Sequence, residues 1–360
     1  MVLRTNVKLN FGLNVIRKRP DGYHDIETLF VPCHEFGDNL EVIAGDDYSR
    51  TSASLFAQYD GMHPEEQPAL GDTQPQRSED GLRRGRTAPP DCGRELVQGL
   101  SEDGKLMITI ARKEGVDWDP LKDLCAKAYF LLAEDFDLPP VKIFLEKKAP
   151  VGAGLGGGSA DAAFTLKALN EICGLGLSEE RLSEYASRLG SDCAFFVWNR
   201  PMIGTGRGEI LEPFDLDLNG YDLKVIVPEG ISVSTKEAYD GIVPRCSIEG
   251  TIGTGDASLR SAPPLASLRS APVPPLNVPR VAVSPEPIVP STEPGIGDGL
   301  RELLKRPVEE WKGLVVNDFE TTVFKLHPEL AAIKQSLYDA GASYAAMSGS
   351  GSALFALFKK

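Results

Sequence analysis

The chain has 360 residues, of which 42% are hydrophobic and 25% are charged, and its formal net charge is −14. This length and composition predict a globular protein with a full hydrophobic core and about two domains. The acidic balance argues against a general nucleic-acid-binding protein, which usually presents a basic face, but it allows a small anionic ligand because local charge decides that.

The cysteines and the first residues indicate the compartment. The six cysteines lack the close pairing of a zinc site or a disulfide framework. The opening stretch, MVLRTNVKLNFGLNV, lacks the basic and then apolar layout of a signal peptide, and no run approaches the roughly 18 apolar residues of a membrane helix. We therefore expect a reduced, cytoplasmic protein without a membrane partner.

The N-terminal stretch predicts a β-hairpin. Apolar residues recur with period two at Leu9, Phe11, Leu13 and Val15. RPDG at 19–22 supplies turn residues, and HDIETLFV then resumes an extended pattern.

Two later segments lack core periodicity. Residues 48–104 are polar and rich in glycine and proline, which predicts a mobile insertion. Residues 247–298 hold ten of the 27 prolines and repeat the sequence ASLRSAP. They predict a disordered Pro-rich loop, and a docking segment for an SH3-type domain is the alternative.

A strand, a glycine-rich stretch and a helix follow one another in the middle of the chain. A helix is predicted over 120–133 and a strand over 141–147, which leads into PVGAGLGGGSADAA at 150–163. Another helix is predicted directly after the glycines of this stretch, with Ala162, Leu166 and Leu169 on one face. A further amphipathic helix ends at Leu189, where Gly190 closes it.

The glycine-rich stretch is typical of a phosphate-binding loop. Backbone N–H groups at a helix N-terminus attract phosphate, and glycines let those groups come close to it. Gly152, Gly154 and Gly157 match the G-x-G-x-x-G pattern of dinucleotide folds, but a helix follows a helix where such a fold needs a second strand. The sequence has neither the Gly-Lys-Ser/Thr of a Walker loop nor the H-R-D and D-F-G signatures of protein kinases. A merely flexible loop is the remaining alternative.

Six segments of the chain resemble the GHMP kinase family, which includes galactokinase, homoserine kinase and mevalonate kinase. PVGAGLGGGSADAA resembles the nucleotide loop of that family. The others occur in family order and are VKLNFGLNVIRKRPDGYHDIETLF at 7–30, RLGSDCAFF at 188–196, GISVSTKEAY at 230–239, NDFE at 317–320 and MSGSGSALFALF at 347–358.

The resemblance implies an α+β, two-domain GHMP kinase fold. The N-terminal domain, residues 1–213, would resemble domain 2 of ribosomal protein S5 and would contain the ATP loop and the insertion at 48–104. The C-terminal domain, residues 214–360, would be ferredoxin-like and would contain the insertion at 247–298.

The resemblance also implies ATP-dependent phosphorylation of an alcohol, with ATP and Mg²⁺ as cofactors. The RPDGYH stretch resembles the corresponding segment in one branch of the family. Enzymes of that branch phosphorylate the 2-hydroxyl of a cytidyl diphosphate-linked methylerythritol, a small-molecule substrate in the non-mevalonate route to isoprenoid precursors. One alternative is a GHMP kinase for another small alcohol, such as homoserine or mevalonate. A degenerate, nucleotide-binding member of the family is the other.

Catalytic roles for Lys8 and Asp192 follow from the resemblance. Phosphoryl transfer depends on positioning and charge stabilisation, with an acidic group that receives the hydroxyl proton. Asp192 matches the base of the family. Lys8 matches its cationic partner, which would lower the pKa of the substrate hydroxyl.

The residues implied to bind ATP are continuous in sequence. They are Pro150, Val151, Gly152, Ala153, Gly154, Leu155, Gly156, Gly157, Gly158, Ser159 and Ala160. Ser159 is interpreted either as the N-cap of the helix or as a ligand of nucleotide-bound Mg²⁺, and both possibilities stay open. No carboxylate is assigned to the metal, since phosphates would mainly hold it.

Substrate binding is assigned to four residues. Tyr23 and His24 follow the hairpin turn, where an aromatic ring and a ring nitrogen would stack on and hydrogen-bond a pyrimidine. Asn10 and Thr235 match family positions near the substrate. The second glycine cluster, at 348–352, is predicted to support the first one rather than to bind phosphate.

Overall fold

A computed structural model of the protein describes residues 1–45, 95–245 and 299–360. The strands are β1 (Val2–Arg4), β2 (Val7–Lys18), β3 (His24–Cys33), β4 (Asn39–Ala44), β5 (Glu95–Leu100), β6 (Leu106–Arg112), β7 (Val141–Lys147), β8 (Met202–Thr205), β9 (Ile210–Pro213), β10 (Tyr221–Ile226), β11 (Tyr344–Met347) and β12 (Leu354–Lys359). The helices are α1 (Leu124–Ala133), α2 (Gly157–Ile172), α3 (Glu179–Leu189), α4 (Cys193–Trp198), α5 (Thr235–Tyr239), α6 (Leu300–Leu303), α7 (Glu320–Leu326) and α8 (Pro328–Asp339).

The described strands form three sheets within one structural unit. The first has the order β1-β4-β7-β6-β5 and is antiparallel except for the β6–β7 pair. Antiparallel sheets with the orders β2-β3-β8-β9 and β10-β12-β11 are the second and third. Helices α1, α3 and α4 pack against α2, which follows β7. Among the helices of the three described ranges, none is long and apolar enough to cross a membrane.

The predicted hairpin and central strand are confirmed. β2 pairs with β3 in antiparallel register, from Val7 opposite Cys33 to Lys18 opposite His24. The strand predicted at 141–147 has the same bounds in the structure. Alternation of apolar residues and a compact turn are strong local signals, which is why these elements could be located.

The helix after the glycines begins earlier than predicted. Its N-cap is Gly156, which has a left-handed conformation with φ of 73°, and no side chain caps the helix. The prediction of Ser159 as the N-cap was therefore wrong. Glycine enters the left-handed region without a steric penalty, so the chain turns into the helix before it reaches a hydroxyl-bearing residue.

Part of the first predicted insertion belongs to the first sheet. Residues Glu95–Leu100 form β5, which pairs along its whole length with β6. The prediction of a mobile insertion over 48–104 was therefore wrong for its last residues. This strand is stabilised by a neighbouring strand, and the local sequence pattern does not show that partner. The remaining part, 48–94, and the predicted insertion at 247–298 lie outside the described residues.

An aromatic cluster joins the first hairpin to the C-terminal sheet. The ring centroid of Phe11 in β2 lies 4.5 Å from that of Phe355 and 6.0 Å from that of Trp311. The Tyr344 ring is stacked with Phe11, and their centroids are 6.1 Å apart. All four rings are buried. Large buried rings stabilise a core strongly, so this cluster fixes β2 against the C-terminal part of the chain.

Replacing Phe11 with alanine should lower the free energy of unfolding by about 3–5 kcal/mol, because it removes a fully buried ring and leaves a cavity. Equilibrium urea unfolding followed by circular dichroism measures the change. Phe130→Ala is the matched control, since that ring is 37% exposed on α1. The control should lose about 1 kcal/mol or less. Equal losses in both variants would contradict the central place of Phe11 in the core.

Candidate active site

The glycine loop, residues 150–156, leads from β7 towards α2. Gly154 has a φ of 74°, in the left-handed region. A Cβ atom on this residue would lie 2.3 Å from the carbonyl oxygen of Ser348 and 2.8 Å from the backbone nitrogen of Gly351. Glycine is therefore required here both for the backbone conformation and for the close approach of another segment.

That other segment is the C-terminal glycine turn, residues 348–352. The N–H of Ala353 donates to the carbonyl of Ala153 at 3.1 Å. The Ser348 hydroxyl donates to the carbonyl of Gly154 at 3.4 Å. The prediction that the second glycine cluster supports the first is confirmed by these contacts.

The first turn of α2 presents backbone N–H groups to a ligand. The carbonyl of Gly156 accepts the first helical hydrogen bond, from Ala160 at 3.0 Å. The N–H groups of Gly157, Gly158 and Ser159 consequently have no acceptor within the helix. Their partial positive charge at the helix N-terminus favours a negatively charged group. This geometry fits a phosphate of the nucleotide that the family resemblance implies.

Lys8 and Asp192 lie together beside the glycine loop. The Lys8 Nζ is 3.5 Å from the Asp192 Oδ2, and the two side chains are 5% and 29% exposed. The backbone N–H of Lys8 donates to the carbonyl of Leu155 at 2.9 Å. A Cβ atom on Gly156 would lie 3.2 Å from the Lys8 side chain. The fold thus brings both predicted catalytic side chains next to the loop, with the ammonium enclosed and the carboxylate partly open to solvent.

Asn10 is buried next to Lys8 on the same strand. Its Oδ1 accepts a hydrogen bond from the Lys8 Nζ at 2.5 Å, and its Nδ2 donates to the Thr28 hydroxyl at 3.0 Å. Its backbone N–H donates to the Ser348 hydroxyl at 3.3 Å. Both ends of the Asn10 amide are thus engaged, and the residue orients the lysine. A direct contact between Asn10 and substrate stays a prediction.

His24 stacks on Tyr239, with the ring centroids 4.6 Å apart and an angle of 16° between the planes. Burial and the charge of Lys18 lower the pKa of His24, which favours a neutral imidazole with one donor and one acceptor nitrogen. Burial raises the pKa of Tyr239 to about 12, and the charge of Asp192 contributes to this shift. Tyr239 thus contacts the predicted substrate residue His24 and feels the charge of the predicted base.

Tyr23 and Thr235 lie at the surface. The Tyr23 side chain is 57% exposed, and the guanidinium of Arg207 lies 5.2 Å from its ring centroid. Thr235 is exposed and is the first residue of α5, whose start is stabilised by a capping box formed by Ser234 and Glu237. Among the described residues, neither side chain forms a hydrogen bond or ion pair with the Lys8–Asp192 pair. Their roles in substrate binding stay predictions.

The side chains near the loop offer few ligands to a metal ion. Ser159 lies in the first turn of α2 and hydrogen-bonds to Cys193, whose pKa burial nevertheless raises to about 12. Within residues 1–45, 95–245 and 299–360, no three His, Cys, Asp or Glu side chains converge on one point. A magnesium ion would fit here only if phosphate oxygens and water supplied most of its ligands, with the Ser159 hydroxyl and the Asp192 carboxylate as possible protein ligands.

Sequence reasoning gave no role to Tyr239 or Asn317, although both lie in segments that resemble the family. Asn317 is buried, and its Nδ2 donates to the carbonyls of Met347 and Gly349 at 2.8 Å each. It thereby holds the start of the C-terminal glycine turn. The segment match pointed to these residues, but their partners are distant in sequence, so no local pattern could reveal what they contact.

Comparison with known families and structures agrees with this architecture. The family described as GHMP kinases N terminal domain matches residues 123–200, and GHMP kinases C terminal matches residues 300–360. A solved 4-(cytidine 5'-diphospho)-2C-methyl-D-erythritol kinase superposes with a TM-score of 0.55 at 24% identity, covering 99% of this chain and 90% of that one. A mevalonate kinase structure gives a TM-score of 0.52 at 10% identity, covering 100% and 91%. The predicted GHMP kinase fold is confirmed.

Relatives with higher sequence identity indicate which family within the GHMP kinases the chain belongs to. A 4-diphosphocytidyl-2-C-methyl-D-erythritol kinase of Bacteroides fragilis is 36% identical over 358 residues, which are 99% of this chain and 92% of the relative. The enzyme of the same name from Parabacteroides distasonis is 34% identical over 360 residues, or 100% and 92% of the two chains. With this identity along its whole length, the chain belongs to the 4-diphosphocytidyl-2-C-methyl-D-erythritol kinase family, within the GHMP kinases.

Proposed function

We propose that this chain transfers the γ-phosphoryl group of ATP to the 2-hydroxyl of 4-diphosphocytidyl-2-C-methyl-D-erythritol, the compound in the names of its relatives. The observation that carries the proposal is the Lys8–Asp192 pair next to the glycine loop, 3.5 Å apart, with the ammonium enclosed and the carboxylate partly open to solvent. A degenerate member that only binds nucleotide has no need of this pair, so its presence favours an active kinase.

The glycine loop and the first turn of α2 bind the nucleotide in this proposal. The predicted segment Pro150–Ala160 contains the backbone N–H groups that face an anion, and Gly154 and Gly156 keep side chains away from it. ATP is the phosphate donor that kinase family membership implies. Mg²⁺, held by the phosphates, would neutralise charge on them during transfer.

Asp192 receives the proton of the attacking hydroxyl. As the 2-hydroxyl oxygen bonds to the γ-phosphorus, its proton passes to the Asp192 carboxylate, the bond between the γ-phosphorus and the bridging oxygen breaks, and ADP leaves. Lys8 stabilises the negative charge that develops on the attacking oxygen. Asn10 keeps the ammonium in place through its 2.5 Å hydrogen bond.

The proposed contacts to the cytosine base come from the stacked His24 and Tyr239 rings and from the Tyr23 ring. His24 is stacked on Tyr239, and its neutral ring can both donate and accept a hydrogen bond. Tyr23 precedes His24 in the chain, and its exposed ring would stack on the base. Stacking of a base on an aromatic ring contributes roughly 1–3 kcal/mol. Asn10 and Thr235 complete the proposed substrate site.

Domain boundaries and location are part of the same proposal. The separate matches at 123–200 and 300–360 support an N-terminal domain of residues 1–213 and a C-terminal domain of residues 214–360. The location proposed from the sequence is cytoplasmic, and the proposed partner is the small-molecule substrate, with neither nucleic acid nor membrane.

An assay of ADP release tests the function directly. The purified chain is supplied with ATP, Mg²⁺ and one of three alcohols, namely 4-diphosphocytidyl-2-C-methyl-D-erythritol, homoserine or mevalonate. We expect turnover with the first compound alone. Turnover with one of the other two alcohols would identify a different GHMP kinase, and nucleotide binding without turnover would identify a degenerate member.

Asp192→Asn tests the proposed base. The amide has nearly the same shape but cannot accept the proton, so kcat should fall by about 10²–10⁴-fold while ATP and substrate still bind. Steady-state kinetics with each substrate varied in turn measure the effect. Asp137→Asn is the matched control, since that side chain is 98% exposed. Turnover of Asp192→Asn close to that of the control would contradict the assignment.

The double variant tests whether Lys8 and Asp192 work as a unit. Lys8→Met should also lower kcat, because the developing charge on the attacking oxygen loses its cation. The double variant should lose much less than the product of the two single losses, since groups in direct contact do not act independently. Strictly multiplicative losses would show that the two side chains act separately.

Tyr23→Ala tests recognition of the base. The KM for 4-diphosphocytidyl-2-C-methyl-D-erythritol should rise by about 5- to 150-fold, the equivalent of roughly 1–3 kcal/mol of stacking, while the KM for ATP stays the same. Tyr23→Phe keeps the ring and serves as the control, with both Michaelis constants near those of the wild type. A joint rise of both constants in Tyr23→Ala would show that the residue is structural.

A further inference from the structure

Three charged side chains form a buried cluster next to the glycine loop. The Lys147 Nζ donates to the Asp38 Oδ2 and to the Asp161 Oδ2, at 2.5 Å in each case. The side chains of Lys147, Asp38 and Asp161 are only 6%, 0% and 1% exposed. None of them has a part in the proton transfer described above.

The cluster connects the residues before the glycine loop with those after it. Asp38 Oδ1 accepts hydrogen bonds from the backbone N–H groups of Lys148 at 2.5 Å and Ala149 at 2.7 Å. These two residues immediately precede the loop. Asp161 lies in α2, about one turn beyond the start of the helix. Lys147 bridges the two carboxylates, so ionic contacts fix the spacing between the two ends of the loop.

The cluster also adjoins the N–H groups that face the proposed phosphate. A Cβ atom on Gly157, the first residue of α2, would lie 3.8 Å from the Asp38 Oδ2 and 4.0 Å from the Lys147 Nζ. Burial lowers the pKa of Lys147, but the two carboxylates outweigh burial and raise it overall, so the ammonium stays charged. A shift of this cluster would therefore shift the helix N-terminus that meets the nucleotide.

Stability of the fold does not by itself account for such a cluster. Taking charges out of water costs several kcal/mol per ion, and well-packed apolar side chains of similar volume are often at least as stabilising. Hydrogen bonds between charged groups are directional, so they fix the relative positions of the groups that they join. One carboxylate, Asp38, fixes two backbone N–H groups and an ammonium at the same time.

We propose that Asp38, Lys147 and Asp161 are positioning residues that hold the glycine loop and the start of α2 in the geometry that binds the phosphates of ATP. This rests on the proposed function, because it takes ATP as the ligand of the loop. The three side chains act through the backbone of residues 148–157 and touch no reacting atom.

The test compares nucleotide affinity with substrate affinity in full-length variants. Lys147→Met removes the bridging charge. Asp38→Asn keeps the shape but places an N–H donor against either the lysine or the two backbone N–H groups. For both, we expect the Kd for a non-hydrolysable ATP analogue, measured by calorimetry, to rise on the order of tenfold, with a parallel rise in the KM for ATP. The KM for 4-diphosphocytidyl-2-C-methyl-D-erythritol should stay within about twofold, since that ligand uses other residues.

Two further variants act as controls. Asp161→Asn should have a smaller effect, because Lys147 keeps Asp38 as a charged partner. Tyr185→Phe removes the 2.5 Å hydrogen bond from the Tyr185 hydroxyl to Asp135. Both residues lie outside the glycine loop. This variant should leave the Kd for the analogue unchanged even where it lowers the melting temperature.

The outcomes separate this proposal from the proposed function. Unchanged analogue affinity in folded Lys147→Met and Asp38→Asn would overturn the positioning role, and so would an equal rise of both Michaelis constants. Failure of both variants to fold would overturn it as well, by showing that the cluster serves stability. A wild type that binds the analogue but does not phosphorylate the alcohol would contradict the proposed function alone, and the analogue affinities of the variants would still decide the positioning role.

Discussion

Close backbone contact between the glycine loop and the C-terminal glycine turn is the constraint on which the site depends. A Cβ atom on Gly154 would lie 2.3 Å from the carbonyl oxygen of Ser348, so only glycine permits this approach. Because the two segments touch through their backbones, the N-terminal hairpin and the C-terminal sheet meet at one place. There the Asn10 N–H reaches the Ser348 hydroxyl, and the Lys8 N–H reaches the carbonyl of Leu155. Segments far apart in the chain thus contribute to a single site.

Much of this site could be predicted because its parts have local signatures. Period-two alternation marks the strand that carries Lys8, and the run of glycines is visible without any knowledge of the fold. The error at Ser159 has a physical origin, since a hydroxyl next to a helix resembles a cap whenever the backbone conformation is unknown. Once Gly156 is seen to be left-handed, the start of the helix one residue later follows. The local sequence indicates that a helix follows the glycines, but it does not fix the backbone dihedral angle that decides where the helix begins.

The parts that could not be predicted depend on partners distant in sequence. Strand β5 pairs with β6, and its own residues carry too weak an alternation to distinguish it from a polar connection. Asp38 resembles a turn residue in FGDNL, and Lys147 resembles a solvated lysine at the end of a strand. A charged residue is rarely buried unless it is paired, so burial becomes predictable only once the partner is known. Tertiary contacts, which bring Asp38, Lys147 and Asp161 together, therefore determine a feature that composition and spacing cannot show.

Two lysines beside the glycine loop, Lys147 and Lys8, have different surroundings, and different roles are proposed for them. Lys147 contacts two carboxylates at 2.5 Å, and all three groups are almost inaccessible, so its charge is matched inside the cluster. Lys8 faces the Asp192 carboxylate at 3.5 Å and the neutral amide of Asn10. In the proposed mechanism, the longer distance would leave positive charge available to an attacking oxygen, and the 29% exposure of Asp192 would let a substrate hydroxyl reach it. The proposed role of the tight, enclosed contacts is to hold the backbone of the loop in place. The proposed role of the looser and partly open Lys8–Asp192 pair is to act on the groups that this loop would present.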